Sequence, residues 1–210
     1  MEIKQDFTYK GTRILFNDAA EKKINLINHY RSILRTDKFK EIILPIIQFQ
    51  STFSGKVGNE NHHMMYNFTD AGNREICLAP EYTAVVQKLA KTQFKQHKDV
   101  KMFYVVECFR GEKPQAGRYR QFTQLGVEIL NPTEDYTKFL SSYAKALISY
   151  VFPNAVTSFD VTRGLDYYTE GKGFEIIEES LGAQKQICGG GAYEDGIGFA
   201  IGIDRLLLGL

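Results

Sequence analysis

The stretch VKMFYVVECFRGEKPQAGRYRQFTQLGVEIL, residues 100–130, decides the fold of this chain. Two long β-prone runs flank the polar loop KPQAG, and runs of this kind joined by a short loop predict an antiparallel hairpin. This hairpin is the longest β element that the sequence predicts.

Side chains alternate between the two faces of a strand, so the hairpin has two distinct faces. On its second strand, Leu125, Val127 and Ile129 form an apolar face that we expect in the core. The opposite face carries Cys108, Arg110, Glu112, Phe122, Gln124, Gly126 and Glu128. Such a set of cationic, aromatic and hydrogen-bonding groups is what a nucleotide bound beside a small polar ligand requires. A solvated sheet face is the alternative, although an aromatic ring and a glycine suit such a surface poorly.

Outside the hairpin, apolar residues recur at helical spacing in three segments. Helices are predicted at about 18–35, within 81–94 and at about 134–151. Asp18 and Glu21 have the spacing of a capping box at the start of the first helix. The run FKEIILPIIQFQ, residues 39–50, is predicted as an edge or interface strand, because Pro45 cannot donate to a central ladder.

Two further segments complete the predicted architecture. The turn residues 70–73 lie between the β-prone runs MMYNF and REICL, which predicts a second, shorter hairpin. The last run, GFAIGIDRLLLGL, is typical of a strand, a glycine turn and the start of a helix. We therefore predict an α+β fold, an antiparallel sheet flanked by helices, in a single domain over residues 1–210.

Composition limits the kinds of partner. The 26 basic and 25 acidic side chains nearly cancel, so no global positive field favours tight binding to nucleic acid. Cys77, Cys108 and Cys188 lie far apart, which argues against a disulfide framework or a zinc site and fits a reducing compartment. No signal-peptide pattern opens the chain and no run of 18 apolar residues follows, so we expect a cytoplasmic protein without a membrane segment.

Five segments, in order along the chain, carry a family resemblance. They are FKEIILPI (39–46), LAPEYTA (78–84), FRGEKPQAGRYRQFTQLGVEI (109–129), TRGLDYYT (162–169) and GFAIGIDRLLL (198–208). The third resembles motif 2 of histidyl-tRNA synthetases nearly throughout, and the fourth resembles their histidine-specific signature. The first and last resemble motifs 1 and 3 of class II synthetases, and the second resembles the family's amino-acid binding turn.

The resemblance implies the class II aminoacyl-tRNA synthetase/biotin synthetase-like catalytic fold. Motif 1 would occupy about 18–50, motif 2 about 103–130, the histidine signature 162–169 and motif 3 about 197–210. It also implies a homodimer, because motif 1 builds a two-fold interface in class II enzymes.

For ATP, the resemblance implies five binding residues. Arg110 would hold the α-phosphate, Glu112 would accept from the adenine amino group, and Phe122 would stack on the adenine ring. Arg118 and Arg205 would grip the β- and γ-phosphates, a task that planar guanidinium groups suit. Mg2+ would be bound through the ATP phosphates, with no metal site on the protein itself.

For histidine, the resemblance implies a second set of residues. Glu81 and Thr83 would receive the α-ammonium group, and the imidazole would be surrounded by Gln124, Glu128, Tyr168 and Tyr193. Arg163 would reach both the histidine carboxylate and the α-phosphate, and with Arg110 it is the predicted catalytic residue. Catalysis would then rest on positioning and electrostatics, without a protein nucleophile.

Some of these residues also have purely structural explanations. Glu81 follows Pro80 and is placed where a carboxylate favours the start of a helix. The glycines 189–191 would serve either as a flexible link or as a place where backbone approaches a ligand closely. Tyr167 and Tyr168 alternate faces if extended, and we favour Tyr168 for the pocket.

The chain departs from the family pattern at several places. Ala79 replaces an arginine of the binding turn, and the family's GGRYDG becomes GGGAYEDG, so Tyr193 aligns only if one inserted residue is admitted. About thirty residues lie between Leu130 and Arg163, where the family has a large tRNA-contacting insertion. We therefore expect a catalytic core without the insertion and anticodon-binding domains.

Three functions remain open at this point. The first is activation of histidine to histidyl-adenylate with transfer to an acceptor, by default tRNA, whose acceptor end the loop KPQAG would contact. The second is a non-catalytic, histidine-binding paralogue of the ATP phosphoribosyltransferase regulatory-subunit type. The retained Arg110, Arg118, Arg163 and Arg205 argue against it, since a regulator needs no complete set of phosphate-binding arginines. The third is a stand-alone ligase that loads an amino acid onto another acceptor.

Overall fold

The structure is a computed structural model that describes residues 8–161, 168–182 and 184–210, with only the backbone at 59–61. Its helices are α1 (Asn17–Thr36), α2 (Gly58–His63), α3 (Thr83–Lys91), α4 (Thr137–Ser149) and α5 (Ile203–Leu206). Its strands are β1 (Lys40–Glu41), β2 (Ile47–Phe49), β3 (Asn67–Thr69), β4 (Glu75–Leu78), β5 (Val100–Phe109), β6 (Gln121–Leu130), β7 (Val156–Phe159), β8 (Tyr168–Ile177), β9 (Gln186–Tyr193) and β10 (Gly196–Gly202).

One large sheet of seven strands, in the order β1-β5-β6-β10-β9-β8-β7, forms the centre of the described structure. Its neighbouring strands run antiparallel, except that the short β1 pairs parallel with β5. A second sheet has three short strands in the order β2-β4-β3. The predicted α+β fold with an antiparallel sheet flanked by helices is confirmed.

The long hairpin forms as predicted. Strands β5 and β6 pair antiparallel along all ten residues, with Cys108 opposite Phe122 and Met102 opposite Glu128. This register puts the polar residues of both strands on the same face. The shorter predicted hairpin also forms, and its turn is closed by Asp70, whose carboxylate accepts from the backbone N–H of Gly72.

Both faces of the large sheet are covered. On one face, Leu125, Val127 and Ile129 pack with buried residues of α1 and α4, as predicted for the core face. On the other face, Tyr104 and Met102 pack with α3 and with the second sheet in a separate apolar cluster. Most of the polar face of the β5–β6 hairpin is therefore covered by other parts of the chain, which excludes the alternative that this face is simply exposed to solvent.

Two local predictions were wrong in detail. Asp18 and Glu21 do not form a capping box, because α1 begins after Phe16 and no side chain caps its first turn. The run 39–50 is not one strand but two, since the chain leaves β1, passes Pro45 and enters β2 in the other sheet. Both strands lie at sheet edges, as the proline predicts.

Candidate active site

A cavity of about 320 Å³ opens over the polar face of the central sheet, a volume typical of small-molecule sites. Nine of the predicted site residues line it: Glu81, Thr83, Arg110, Glu112, Arg118, Phe122, Gln124, Tyr168 and Arg205. Glu128 and Tyr193 lie buried and are hydrogen-bonded to each other. Arg163 lies outside the described residues.

Three arginines converge on one side of the cavity. Backbone carbonyls hold two of them: Nε of Arg110 donates to Pro80 O at 2.9 Å, and Nε of Arg205 donates to Gly117 O at 3.0 Å. Burial, reinforced by the charges of Arg110 and Arg118, lowers the pKa of Arg205 to about 10. Like charges brought together at a partly dry site make a favourable place for a polyanion.

An aromatic ring stands next to these cations. The guanidinium carbon of Arg110 lies 5.2 Å from the centroid of the Phe122 ring, within cation–π range. The ring also faces the cavity, so a flat heterocycle has an apolar surface on which to stack. The arginine predicted to hold the α-phosphate and the ring predicted to stack on adenine are therefore adjacent.

Glu112 has a partner that the sequence did not predict. Its carboxylate accepts a hydrogen bond from Nε of Arg118, and the two form an ion pair at the cavity wall. An ionised carboxylate has about four acceptor positions, so this pair leaves room for a ligand amino group. The pair links the proposed adenine-binding residue to a proposed phosphate-binding residue.

Glu81 plays the structural part that its position suggests. Its carboxylate accepts from the backbone N–H groups of Thr83 at 2.7 Å and Ala84 at 2.9 Å, the first residues of α3. These bonds satisfy donors that the helix cannot satisfy itself, and they orient the carboxylate at the cavity edge. The structural explanation is confirmed, and it is compatible with an ammonium-binding role.

Glu128 is a buried carboxylate at the centre of the polar face. It accepts from Tyr104 Oη at 3.0 Å, from Tyr193 Oη at 2.9 Å and from Thr83 Oγ1 at 3.4 Å. Burial raises the pKa of Glu128 to about 8, although the hydrogen bonds from Tyr193 and Tyr104 oppose that rise. At neutral pH the carboxyl is therefore mostly protonated, and a bound N–H donor or cation beside it would favour the ionised form.

Two glycines make room for this arrangement. A Cβ on Gly198 would lie 1.7 Å from Oε2 of Glu128, so the carboxylate occupies the space of the absent side chain. A Cβ on Gly126 would lie 2.1 Å from the ring of Tyr104, which crosses the strand at that point. Glycine at both positions is needed for close packing rather than for backbone flexibility.

The glycines 189–191 are not a flexible link. They form the middle of β9, and a Cβ on Gly190 would lie 2.5 Å from the ring of Phe174. Gly189 does line the cavity, so the predicted close approach to a ligand remains open at that residue alone.

Sequence reasoning missed several groups at the site. Tyr104 was not predicted, although its place opposite Gly126 on the same face was available from the alternation pattern. Tyr119, Glu175 and Gln186 also line the cavity. Glu175 and Gln186 lie on strands whose pairing with the rest of the sheet no local pattern encodes.

The described part of the chain has neither a cluster of metal-ligating side chains nor a helix suited to a membrane. No group of three or more His, Cys, Asp or Glu side chains there is arranged to hold a metal ion. None of the helices described is both long and apolar enough to cross a membrane.

Comparison with known proteins identifies relatives for most of the chain. The family model described as histidyl-tRNA synthetase matches residues 11–138. A histidine–tRNA ligase of Archaeoglobus fulgidus is 26% identical over 305 aligned positions, covering 94% of this chain and 74% of the relative. Because this chain has only 210 residues, at least 95 of those positions have no counterpart in it, which agrees with the predicted absence of an inserted domain.

Solved structures show the same similarity in three dimensions. Apo histidyl-tRNA synthetase of S. aureus is 25% identical with a TM-score of 0.77, over 97% of this chain and 69% of that one. An ATP phosphoribosyltransferase regulatory subunit/histidyl-tRNA synthetase from Bacillus halodurans has a TM-score of 0.80 at 14% identity, over 100% of this chain and 84% of that one. The second likeness concerns the fold alone.

Proposed function

Because this chain belongs to the histidyl-tRNA synthetase family, we propose that it uses ATP to activate histidine as histidyl-adenylate and transfers histidine to an acceptor, with tRNA as the first candidate. The observation that carries the proposal is one cavity that three arginines line together with Thr83. The hydroxyl of Thr83 donates at 3.4 Å to the carboxylate of Glu128, which lies buried behind the cavity wall. The arginines suit a triphosphate, and the carboxylate suits the N–H of an imidazole.

In the proposed reaction, a carboxylate oxygen of histidine forms a bond to the α-phosphorus of ATP. The bond from that phosphorus to the bridging oxygen breaks, and pyrophosphate leaves with the electron pair. Arg110 would stabilise the charge on the α-phosphate, while Arg118 and Arg205 would hold the β- and γ-phosphates of the departing group. Arg163 is proposed from the sequence resemblance to bridge the two substrates. Mg2+ would enter with ATP, where it neutralises phosphate charge.

The two substrates would occupy different ends of the cavity. Adenine would stack on Phe122 with its amino group toward Glu112. The α-ammonium of histidine would lie at Glu81 and Thr83, and its imidazole would point to Glu128 and Tyr193, beside Gln124 and Tyr168. In the second step an acceptor hydroxyl would attack the acyl carbon, and AMP would leave.

The experiment that tests the proposal is ATP–pyrophosphate exchange across all twenty amino acids. We expect exchange that depends on histidine and falls by about 10² to 10³ when Arg110 is replaced by Ala, the usual cost of losing one preorganised charge-stabilising group. Arg74 is exposed and paired with Asp70, and neither residue lines the cavity, so Arg74→Ala is the matched control and should keep full exchange. Exchange with an amino acid other than histidine, or none with histidine, contradicts the proposal.

The competing functions give different outcomes in the same series. A regulatory paralogue would bind histidine in calorimetry without binding ATP, and the three cavity arginines oppose that outcome. A ligase with another acceptor would give normal exchange but would not charge histidine tRNA. Direct aminoacylation of that tRNA and a gel shift with it separate this ligase from one that uses histidine tRNA as its acceptor.

We also propose that the chain forms a homodimer through the region of motif 1. Apolar side chains are exposed on β2 and beside it, with Ile43 96% and Ile47 54% exposed. Neighbouring exposed apolar groups of this kind are typical of protein interfaces. Light scattering should show a dimer for the unmodified chain and a monomer for Ile43→Lys; a dimer that survives this substitution argues for another interface.

A further inference from the structure

The segment 8–15, here called the N-terminal strap, lies across the loop 111–120 that joins β5 to β6. The backbone N–H of Arg120 donates to Gly11 O at 2.7 Å, and Nη1 of Arg120 donates to Lys10 O at 3.0 Å. The guanidinium carbon of Arg120 also lies 5.0 Å from the ring centroid of Tyr9. The strap therefore holds the loop that carries Glu112 and Arg118.

The strap is shaped to approach the loop closely. Gly11 has a φ of +91°, a conformation that side chains with a Cβ rarely adopt. A Cβ at this position would lie 2.8 Å from Pro114 Cγ and 2.8 Å from Arg120 Cγ. Both the positive φ of Gly11 and its close approach to Pro114 and Arg120 therefore require glycine. The turn is closed by the backbone N–H of Thr12, which donates to Tyr9 O at 2.9 Å.

Arg13 connects the strap to Tyr119, which lines the cavity, and to Asp204, which directly precedes a residue that does. Its guanidinium carbon lies 3.6 Å from the centroid of Tyr119, whose side chain lines the cavity wall. The same guanidinium forms an ion pair with Asp204, which is only 2% exposed. Asp204 accepts from the backbone N–H of Thr123 at 2.5 Å and directly precedes Arg205.

We propose that Arg13 is a positioning residue for ATP: by stacking on Tyr119 and pairing with Asp204, it holds the loop 111–120 and Arg205 in register around the triphosphate. The inference rests on the proposed function, because it assigns ATP to this cavity. It adds a residue from outside all five sequence motifs. Arg13 touches no expected substrate position, so it acts through the groups that it holds.

The two contacts of Arg13 have different chemical requirements, which allows them to be separated. Stacking needs the flat guanidinium face, whereas the ion pair needs only a cation. Arg13→Lys keeps the charge of Arg13 opposite Asp204 and loses the flat face, while Arg13→Ala loses both and leaves Lys23, whose Nζ is 3.4 Å from Oδ1 of Asp204, as the remaining cation there. Lys10 is a matched control, because its side chain is exposed and only its backbone carbonyl contacts the loop.

The experiment measures kcat and the KM values for ATP and for histidine in histidine-dependent ATP–pyrophosphate exchange, with the whole chain. For Arg13→Ala we expect KM for ATP to rise about tenfold, from the loss of a cation–π contact and a partly buried ion pair. KM for histidine should stay within twofold, Arg13→Lys should be intermediate, and Lys10→Ala should match the unmodified chain. Equal changes in both KM values, or a lower melting temperature with unchanged KM values, overturn the proposal.

A second readout does not depend on catalysis. Hydrogen–deuterium exchange of the loop amides should accelerate in Arg13→Ala and Arg13→Lys, most clearly at Arg120, whose N–H is bonded to the strap. If the unmodified chain shows no ATP–pyrophosphate exchange and no ATP binding, the proposed function fails. In that case, faster hydrogen–deuterium exchange of the loop amides in the Arg13 variants would still show that Arg13 positions the loop. An unchanged rate of hydrogen–deuterium exchange would refute the positioning role.

Discussion

Replacing Glu128 by Gln tests the electrostatics of the buried carboxylate directly. The amide has nearly the same shape and can accept from Tyr104 and Thr83 as the carboxylate does. The substitution therefore removes the charge and leaves the packing almost unchanged. A difference in stability between the two chains that changes with pH then reports the ionisation of this one group.

The expected change in the free energy of unfolding follows from the pKa of Glu128 in the unfolded chain and in the folded chain. An unfolded glutamate releases its proton near pH 4.3, whereas burial holds the pKa of Glu128 at about 8 in the folded chain. Between these values the folded state binds more protons than the unfolded state, so the free energy of unfolding decreases as pH rises. The slope is at most about 1.4 kcal/mol per pH unit, or roughly 5 kcal/mol across the window.

The assay is urea unfolding at several pH values from 4 to 9 for the unmodified chain and Glu128→Gln. The two stabilities should be similar near pH 4, diverge in favour of the variant up to pH 8, and then keep a constant difference. The exposed Glu75 provides the control, since Glu75→Gln should follow the unmodified chain throughout. Parallel curves for Glu128→Gln and the unmodified chain would refute the reasoning, because they would show that Glu128 does not titrate within this window.

Three further substitutions test neighbouring parts of the site. Gly198→Ala places a Cβ on the Glu128 carboxylate, so we expect a loss of about 1–3 kcal/mol in stability and weaker histidine binding, measured by urea unfolding and calorimetry. Tyr104→Phe removes a hydrogen bond that lowers the pKa of Glu128, so the pH window of the unfolding series should extend above 8; an unchanged window contradicts this. Arg205→Ala should weaken ATP binding about 10- to 100-fold, since a hydrogen bond to a charged group contributes about 1.5–3 kcal/mol, and unchanged binding in calorimetry would exclude the residue from the triphosphate site.

Local patterns were sufficient for much of the fold. The hairpin over 100–130, the shorter hairpin around 70–73 and helices α1, α3 and α4 were all predicted, because alternation and helical spacing act over neighbouring residues. The wrong details were also local: the first turn of α1 has no side-chain cap, and the chain switches sheets at Pro45. Caps and strand ends depend on what packs against them, and the sequence pattern does not contain that information.

The candidate site was predicted in part by alternation and in part by family resemblance. Alternation put Phe122, Gln124 and Glu128 on one face. In the structure, Phe122 and Gln124 line the same cavity as Arg110, Arg118 and Arg205, whereas Glu128 lies buried next to it. Glu81, predicted to bind the ammonium group, accepts from the first backbone N–H groups of α3, and its ammonium-binding role stays a prediction. Arg163 was predicted from its motif, and its role stays a prediction that the exchange assay can test.

By itself, the sequence determined which residues are extended, which are helical and which face of the long hairpin carries polar groups, since these properties arise within about ten residues. Only the tertiary structure decided what surrounds Glu128, because Tyr104, Thr83, Tyr193 and Gly198 reach it from four different elements. It likewise decided that Arg13 meets Asp204 across 191 positions of chain. Contacts of this kind follow from the order of strands in the sheet, which is set by the packing of the whole core and not by any local pattern.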